Sequence, residues 1–327
     1  MTLSGQRAYS HWRERGGRGP PRYIGEDDML NHQDGANGPV GAAIRVPDQA
    51  TQVQNDLRSD GYMVIRNLLS PEQVKTLRST VRRHLKSAGT FQYGGKFQLY
   101  AMYVSDEVAR LLTSDMILDR LKEITQPFDT VLTGECDLMI NTTSSWHTDV
   151  VHYRHYEDGS IFCDNDFSVY KIAFYLQDQD ESSPATLKVK PRSHLKGLVQ
   201  SMPAKALAVR AGDAIIFDVR IEHAGQAPTS VDRSLRKLFE LIGPRLRLDP
   251  QKAFTTTRRI IRQITMKPDR VGVFMTFGPS DAQTLSYAEE GTHRHPGVKG
   301  TLNGDVLARL ARHNVKPPII GASPAMQ

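Results

Sequence analysis

Trp146-His147-Thr148-Asp149 sets an imidazole and a carboxylate two residues apart. If residues 145–150 are extended, both side chains leave the same face, because neighbours along a strand alternate. One more histidine would complete three donors able to hold a divalent metal on adjacent corners, with the opposite corners open. Two histidines and one carboxylate so arranged suit iron(II) and its oxidation chemistry. His223, 74 positions beyond Asp149, is a candidate for the third donor. The His-x-Asp pair alone carries little: 11 His and 24 Asp in 327 residues give roughly 0.8 such matches by chance. A hydrogen-bonded His–Asp pair on a sheet edge would read the same way, so the weight falls on the rest of the chain.

Composition leaves room for such a centre. Hydrophobic residues make up 39% of the chain and charged ones 24%, the balance of a soluble globular protein. No run reaches the ~18 apolar residues of a membrane span, and the N-terminus lacks the apolar core of an export signal. The expectation is a cytoplasmic enzyme, where iron(II) stays reduced. Cys136 and Cys163 are the two cysteines, too few for a disulfide framework or a thiolate zinc site. A zinc hydrolase built on His147, His152 and His155 would want a helical His-Glu-x-x-His pattern, which is missing. The net charge of +6 is concentrated: 233–270 holds 11 Lys or Arg against Glu240, Asp249 and Asp269. That block suits an anionic or carrier-linked small-molecule substrate; a solvated basic helix is the plainer account. Aromatics do not interleave with these charges, so no nucleic-acid partner is expected.

The positioning elements follow from periodicity. Residues 1–50, with eight Gly, four Pro and scattered arginines, read as a loosely ordered arm. The folded domain then occupies 51–327. Gly61-Tyr62-Met63-Val64-Ile65 reads as a strand. Ser70-Pro71-Glu72-Gln73 opens a helix with a capping serine, a first-turn proline and a glutamine where a capping box needs it. Val74, Leu77, Val81 and Leu85 form its apolar stripe. Further helices are expected at 106–113 and 115–124. From Val131 the period becomes two, with strands near 131–141, 145–150, 169–177, 186–191, 207–210, 214–220 and 270–277. The fold class is mainly β with flanking helices, a sandwich or jelly roll. Residues 233–268 read as a basic helical insertion between two barrel strands.

Four segments occur in a telling order. Gly-Tyr-Met-Val-Ile-Arg-Asn-Leu-Leu-Ser-Pro-Glu-Gln-Val at 61–74 comes first, then Trp146–Asp149. Tyr170–Asp178 follows, leading into Leu187–His194. Gly212–Asp218 and His223-Ala224-Gly225 come last. Over roughly 55–290 this ensemble resembles the phytanoyl-CoA dioxygenase family of Fe(II)- and 2-oxoglutarate-dependent oxygenases. The resemblance implies a double-stranded β-helix (jelly-roll, cupin-like) core, with His147, Asp149 and His223 as the Fe(II) ligands. It also implies 2-oxoglutarate and O2 as co-substrates, and a small molecule hydroxylated or otherwise oxidised with release of succinate and CO2. The family binds the far carboxylate of 2-oxoglutarate with an arginine, whose planar fork of donors matches that group. Arg270, opening a strand-like run, is the preferred counterpart; Arg236, in helical surroundings, is second. The family's Pro-Gly-Ser-His stands here as Pro191-Arg192-Ser193-His194, and the glycine usual before that strand is replaced near Ser183-Pro184. His194 is expected to be structural. Halogenases of this fold lack the carboxylate that Asp149 supplies, so hydroxylation or a related oxidation is expected.

His152, Tyr153, Arg154, His155 and Tyr156, and also Lys96 and Gln98, are candidates to face the substrate. A jelly roll that binds metal without redox chemistry is the competing reading, and it would need no clamping arginine.

Overall fold

The computed structural model describes residues 56–152, 159–294 and 300–317. The arm expected at 1–50 and the loop at 153–156 lie outside these residues.

The main sheet is built from β1 (Tyr62–Ile65), β2 (Thr90–Gln92), β3 (Gly95–Gln98), β4 (Thr130–Ile140), β5 (Tyr170–Tyr175), β8 (Ala214–Asp218) and β10 (Val271–Pro279). Its order is β1-β8-β5-β10-β4-β3-β2, antiparallel throughout, with the short β11 (Val315–Lys316) pairing parallel to β4. A smaller sheet, β7-β6-β9, comprises β6 (Lys188–Val189), β7 (Lys205–Ala206) and β9 (His223–Ala224). Together they form the double-stranded β-helix, jelly-roll core that the strand pattern predicts.

Alternation divides the core into two layers. From β5, Ile172 and Phe174 join the cluster on the outer face of the main sheet. That cluster includes the stripe Val74, Leu77, Val81 and Leu85 of α1 (Pro71–Ser87). The expected capping box is present: the Gln73 amide donates to Ser70 Oγ at 3.2 Å, and the Ser70 amide donates to Gln73 Oε1 at 2.8 Å. After α2 (Ala101–Val104), α3 (Asp106–Leu112) and α4 (Asp115–Thr125) complete this layer through Leu112, Ile117 and Leu121. Ala173 and Tyr175 point the other way, between the sheets, against Val189, Ile215, Phe217 and Ile221. The small sheet brings His223 to this inner layer, its ring 4.8 Å from that of Phe217, and His147 bridges to His223.

α5 (Ser230–Ile242) and α6 (Pro250–Ile264) run between β9 and β10 and pack on each other, with α6 also against β2 and β3. α7 (Ala282–Arg294) and α8 (Gly304–Arg312) follow β10. Among the described residues no helix is long and apolar enough to cross a membrane.

Two local expectations need correction. Residues 145–150 are not a strand. His147 makes a single antiparallel bridge to His223, and the chain then turns into a 3-10 helix at Asp149–His152. The strand expected through 220 stops at Asp218, where Arg220 turns back and is buried. Its guanidinium grips Asp218 at 2.9 and 2.7 Å and donates to the carbonyls of Ile161 and Asp164 at 2.7 and 2.6 Å. The backbone itself turns here, the Ile221 amide donating to the Asp218 carbonyl at 3.0 Å.

Candidate active site

His147, Asp149 and His223 converge although no regular strand carries them. The bridge between the two histidines has both amide–carbonyl bonds, 3.0 and 2.9 Å, and it sets the ring centroids 4.3 Å apart. The Asp149 amide donates to the Val219 carbonyl at 2.9 Å, so the turn that follows is fastened to the same segment. One ligand atom from each of the three residues lies within 4.8 Å of the others. His147 Nε2 is 3.8 Å and His223 Nε2 3.9 Å from Asp149 Oδ1.

The hydrogen bonds settle which ring nitrogens are free. His147 Nδ1 lies 2.7 Å from the Ser145 carbonyl, and His223 Nδ1 lies 3.0 Å from the Ile221 carbonyl. A carbonyl oxygen only accepts, so both Nδ1 atoms carry a proton, and in the neutral ring the lone pair is then on Nε2. Burial pushes the His223 pKa down to about 4, only partly opposed by Asp149, so this imidazole is neutral near pH 7.

Asp149 behaves in the opposite way. Burial disfavours its charge, but Lys171, then His223 and His147, outweigh that and hold its carboxyl below the usual carboxylate range. Lys171 Nζ sits 2.9 Å from Asp149 Oδ2. The lysine, on the inner face of β5, is itself buried and kept charged: Asp149, Glu135 and Asp137 overcome the burial penalty. One carboxylate oxygen is thereby engaged by an ammonium while the other faces the two histidines. Neutral nitrogen donors and an ionised oxygen donor, close together, fit a divalent first-row metal.

Lys171, Glu135 and Asp137 were not singled out by the motif. Their signal was present: charged residues at inward positions of strands otherwise apolar. Glu135 Oε2 lies 4.0 Å from Lys171 Nζ and accepts from Thr276 and Tyr287 hydroxyls at 3.2 and 3.1 Å. Asp137 is pushed up to about 7, chiefly by burial.

The two arginines separate. Arg270 is buried immediately before β10, its amide fixed by Asn141 Oδ1 at 2.9 Å and its guanidinium 5.7 Å over the Tyr175 ring. It donates to the Thr142 carbonyl at 3.4 Å and has no carboxylate partner among the described residues. A Cβ added at Gly225 would stand 2.7 Å from Arg270 Nη2, so the guanidinium abuts the chain two residues past His223. Arg236 lies elsewhere, 5.8 Å over the Phe254 ring between α5 and α6.

Of the other candidates, Lys96, Gln98 and His194 are engaged by backbone carbonyls. Lys96 Nζ caps carbonyls of α1, those of Leu85 and Lys86, at 2.7 and 2.9 Å, and Gln98 donates to the Leu99 carbonyl. His194 is buried against Gly61, its Nε2 3.1 Å from the Arg58 carbonyl. Burial lowers its pKa, as suits a structural residue.

The family model "Phytanoyl-CoA dioxygenase (PhyH)" matches residues 57–236. No match is found among curated proteins. Solved structures of similar fold include the non-heme alpha ketoglutarate dependent epimerase SnoN from nogalamycin biosynthesis, with a TM-score of 0.49 and 14% identity, covering 84% of this chain and 96% of that one. The carbocyclase SnoK from the same biosynthesis gives 0.48 at 15% identity, covering 75% and 88%. HygX from Streptomyces hygroscopicus, with nickel and 2-oxoglutarate bound, gives 0.45 at 16% identity, covering 72% and 88%. The family match takes in β1 through most of α5, more than half of the chain, and the protein belongs to the phytanoyl-CoA dioxygenase family of Fe(II)- and 2-oxoglutarate-dependent oxygenases.

Proposed function

We propose that His147, Asp149 and His223 hold Fe(II), that Arg270 binds the distal carboxylate of 2-oxoglutarate, and that the substrate oxidised is a small anionic or carrier-linked metabolite. The observation that carries this reading is the convergence of one ligand atom from each of two histidines, whose Nδ1 atoms are engaged by carbonyls, and from one carboxylate within 4.8 Å. Bound iron would supply dioxygen activation coupled to decarboxylation of 2-oxoglutarate to succinate and CO2.

The chain's own task is orientation and exclusion of water. The Ser145 and Ile221 carbonyls fix the ring planes, and the Phe217 ring, 4.8 Å from that of His223, packs one side against bulk solvent. Lys171 holds Asp149 ionised and pins one of its oxygens. Arg270 supplies a permanent buried charge with no acid of its own among the described residues, and Gly225 leaves room for it. With Asp149 kept, the donor set stays complete and hydroxylation, or a related hydrogen-abstracting oxidation, is the expected outcome.

Anaerobic calorimetric titration of Fe(II) into the wild type, His147→Ala and His223→Ala tests the ligand set. Each variant should bind at least 100-fold more weakly while keeping the wild-type circular dichroism. Wild-type affinity in either variant would overturn the assignment.

A further inference from the structure

Away from the triad, α1, the β2–β3 hairpin and α6 enclose a cavity of about 1020 Å3. Among the described residues, nine Lys or Arg line it against a single acid, Asp269. That acid is already engaged: its Oδ2 pairs with Arg82 at 2.8 Å. Arg83 is neutralised by Glu107 at 2.6 Å, and Arg78 spends its donors on the carbonyls of Leu176 and Asp269. Lys86, Lys252, Arg259 and Lys267 line the same concavity, exposed, and none has a carboxylate partner among the described residues.

We propose that this cavity binds a ligand through a polyphosphate group. Several unneutralised cations around one concave, partly low-dielectric wall focus a positive field that a single carboxylate cannot satisfy. Mutual repulsion is visible in the same residues. After burial, the neighbouring Arg259 lowers the Lys96 pKa, and Arg258 and Arg270, just behind the lining, lower that of Arg262. A run of adjacent phosphates relieves that repulsion at several points together, and the volume is that of a small-molecule site. The ligand is not 2-oxoglutarate, since Arg270 does not line the cavity. The two sites nonetheless share a wall: Asn141 lines the cavity and its Oδ1 holds the Arg270 amide. The phosphates belong to a soluble organic polyphosphate or to a lipid headgroup, which share this chemistry.

The test is calorimetric titration of the full chain with inorganic tripolyphosphate at ~0.15 M salt, where nonspecific surface attraction is screened. The variants are Lys252→Gln/Arg259→Gln in the cavity and Lys75→Gln/Arg110→Gln, the same charge change outside it. Tripolyphosphate should bind at least tenfold more tightly than orthophosphate, and the cavity variant should lose at least tenfold while the control loses less than twofold. Displacement by ATP assigns a soluble source. Sedimentation with phosphatidylcholine vesicles containing a bisphosphorylated inositol lipid, lost in the cavity variant, assigns a headgroup. Absence of wild-type binding, equal loss in both variants, or tighter binding of a 20-base-pair DNA duplex would overturn the proposal. Titration of 2-oxoglutarate should be unchanged in the cavity variant, which keeps this outcome separate from the assignment of Arg270.

Discussion

At Asp149, Lys171 decides which oxygen is left to face the histidines and keeps the group ionised inside the protein. A buried carboxylate without a nearby cation raises its pKa until it neutralises. Lys171→Met removes the ammonium 2.9 Å from Oδ2 and leaves burial unopposed except by the histidines. Partners of metal ligands are typically worth about 10–100-fold in metal affinity. We expect Lys171→Met to bind Fe(II) about tenfold more weakly, with Lys171→Arg closer to the wild type, measured by anaerobic competition with a chelating dye. Equal affinity in Met and wild type would confine Lys171 to a structural role. The lysine was legible in the sequence only as an anomaly, a charge in the apolar run Tyr170–Leu176. Its partner, 22 residues earlier on a turn, could not be read from spacing.

Elements explain why His147, Asp149 and His223 converge by a route other than strand alternation. Strand alternation would bring His147 and Asp149 to one face, but the chain here has one bridge and a 3-10 turn. The convergence comes from pairing with the segment 219–223, a long-range partner that period-two patterning does not encode. The capping box at Ser70, the α1 stripe and β4, β5, β8 and β10 were legible because each rests on local propensity and burial. The β2–β3 hairpin and the helices after β10 were not, having short or mixed patterns. Arg192, where the resemblance to the family pattern leads one to expect glycine, takes the glycine-like backbone, φ 67°, at some conformational cost. Arg220 anchors the loop Ile161–Phe167 to the end of β8 beside His223. Removing one partner of a buried pair costs about 3–5 kcal/mol. Arg220→Met should lower urea-unfolding stability by that order, and adding Asp218→Asn should recover part of it. A loss under about 1 kcal/mol would contradict the anchoring role.

For the whole molecule, pH separates buried groups by sign. The folded protein holds His194 below its ordinary pKa of 6.5, mainly through burial, with Asp218 and the Arg58 carbonyl opposing. An unfolded chain therefore takes a proton below 6.5 that the folded one refuses, and stability falls as pH drops from there toward the folded pKa. Asp137 pulls the other way: its folded pKa of about 7 means stability gained on acidification and lost as pH rises through 7. The difference between variants isolates the histidine. His194→Gln, compared with wild type by urea midpoints at pH 7.5, 6.5 and 5.5, should lose its relative disadvantage as pH falls, by up to about 1.4 kcal/mol per pH unit. Parallel curves would contradict a buried neutral His194.

The central claim concerns the whole site, a metal triad and a remote carboxylate clamp assembled from both sheets. Its most direct test is anaerobic titration of the iron-loaded protein with 2-oxoglutarate, following the weak visible charge-transfer band of the chelate, with Arg270→Ala and Arg236→Ala in parallel. The account predicts a band in the wild type and in Arg236→Ala at similar 2-oxoglutarate concentrations. Arg270→Ala should need at least tenfold more, the loss expected for a buried charge-assisted pair worth about 1.5–3 kcal/mol. A wild-type response from Arg270→Ala, with the shift appearing in Arg236→Ala instead, would contradict it.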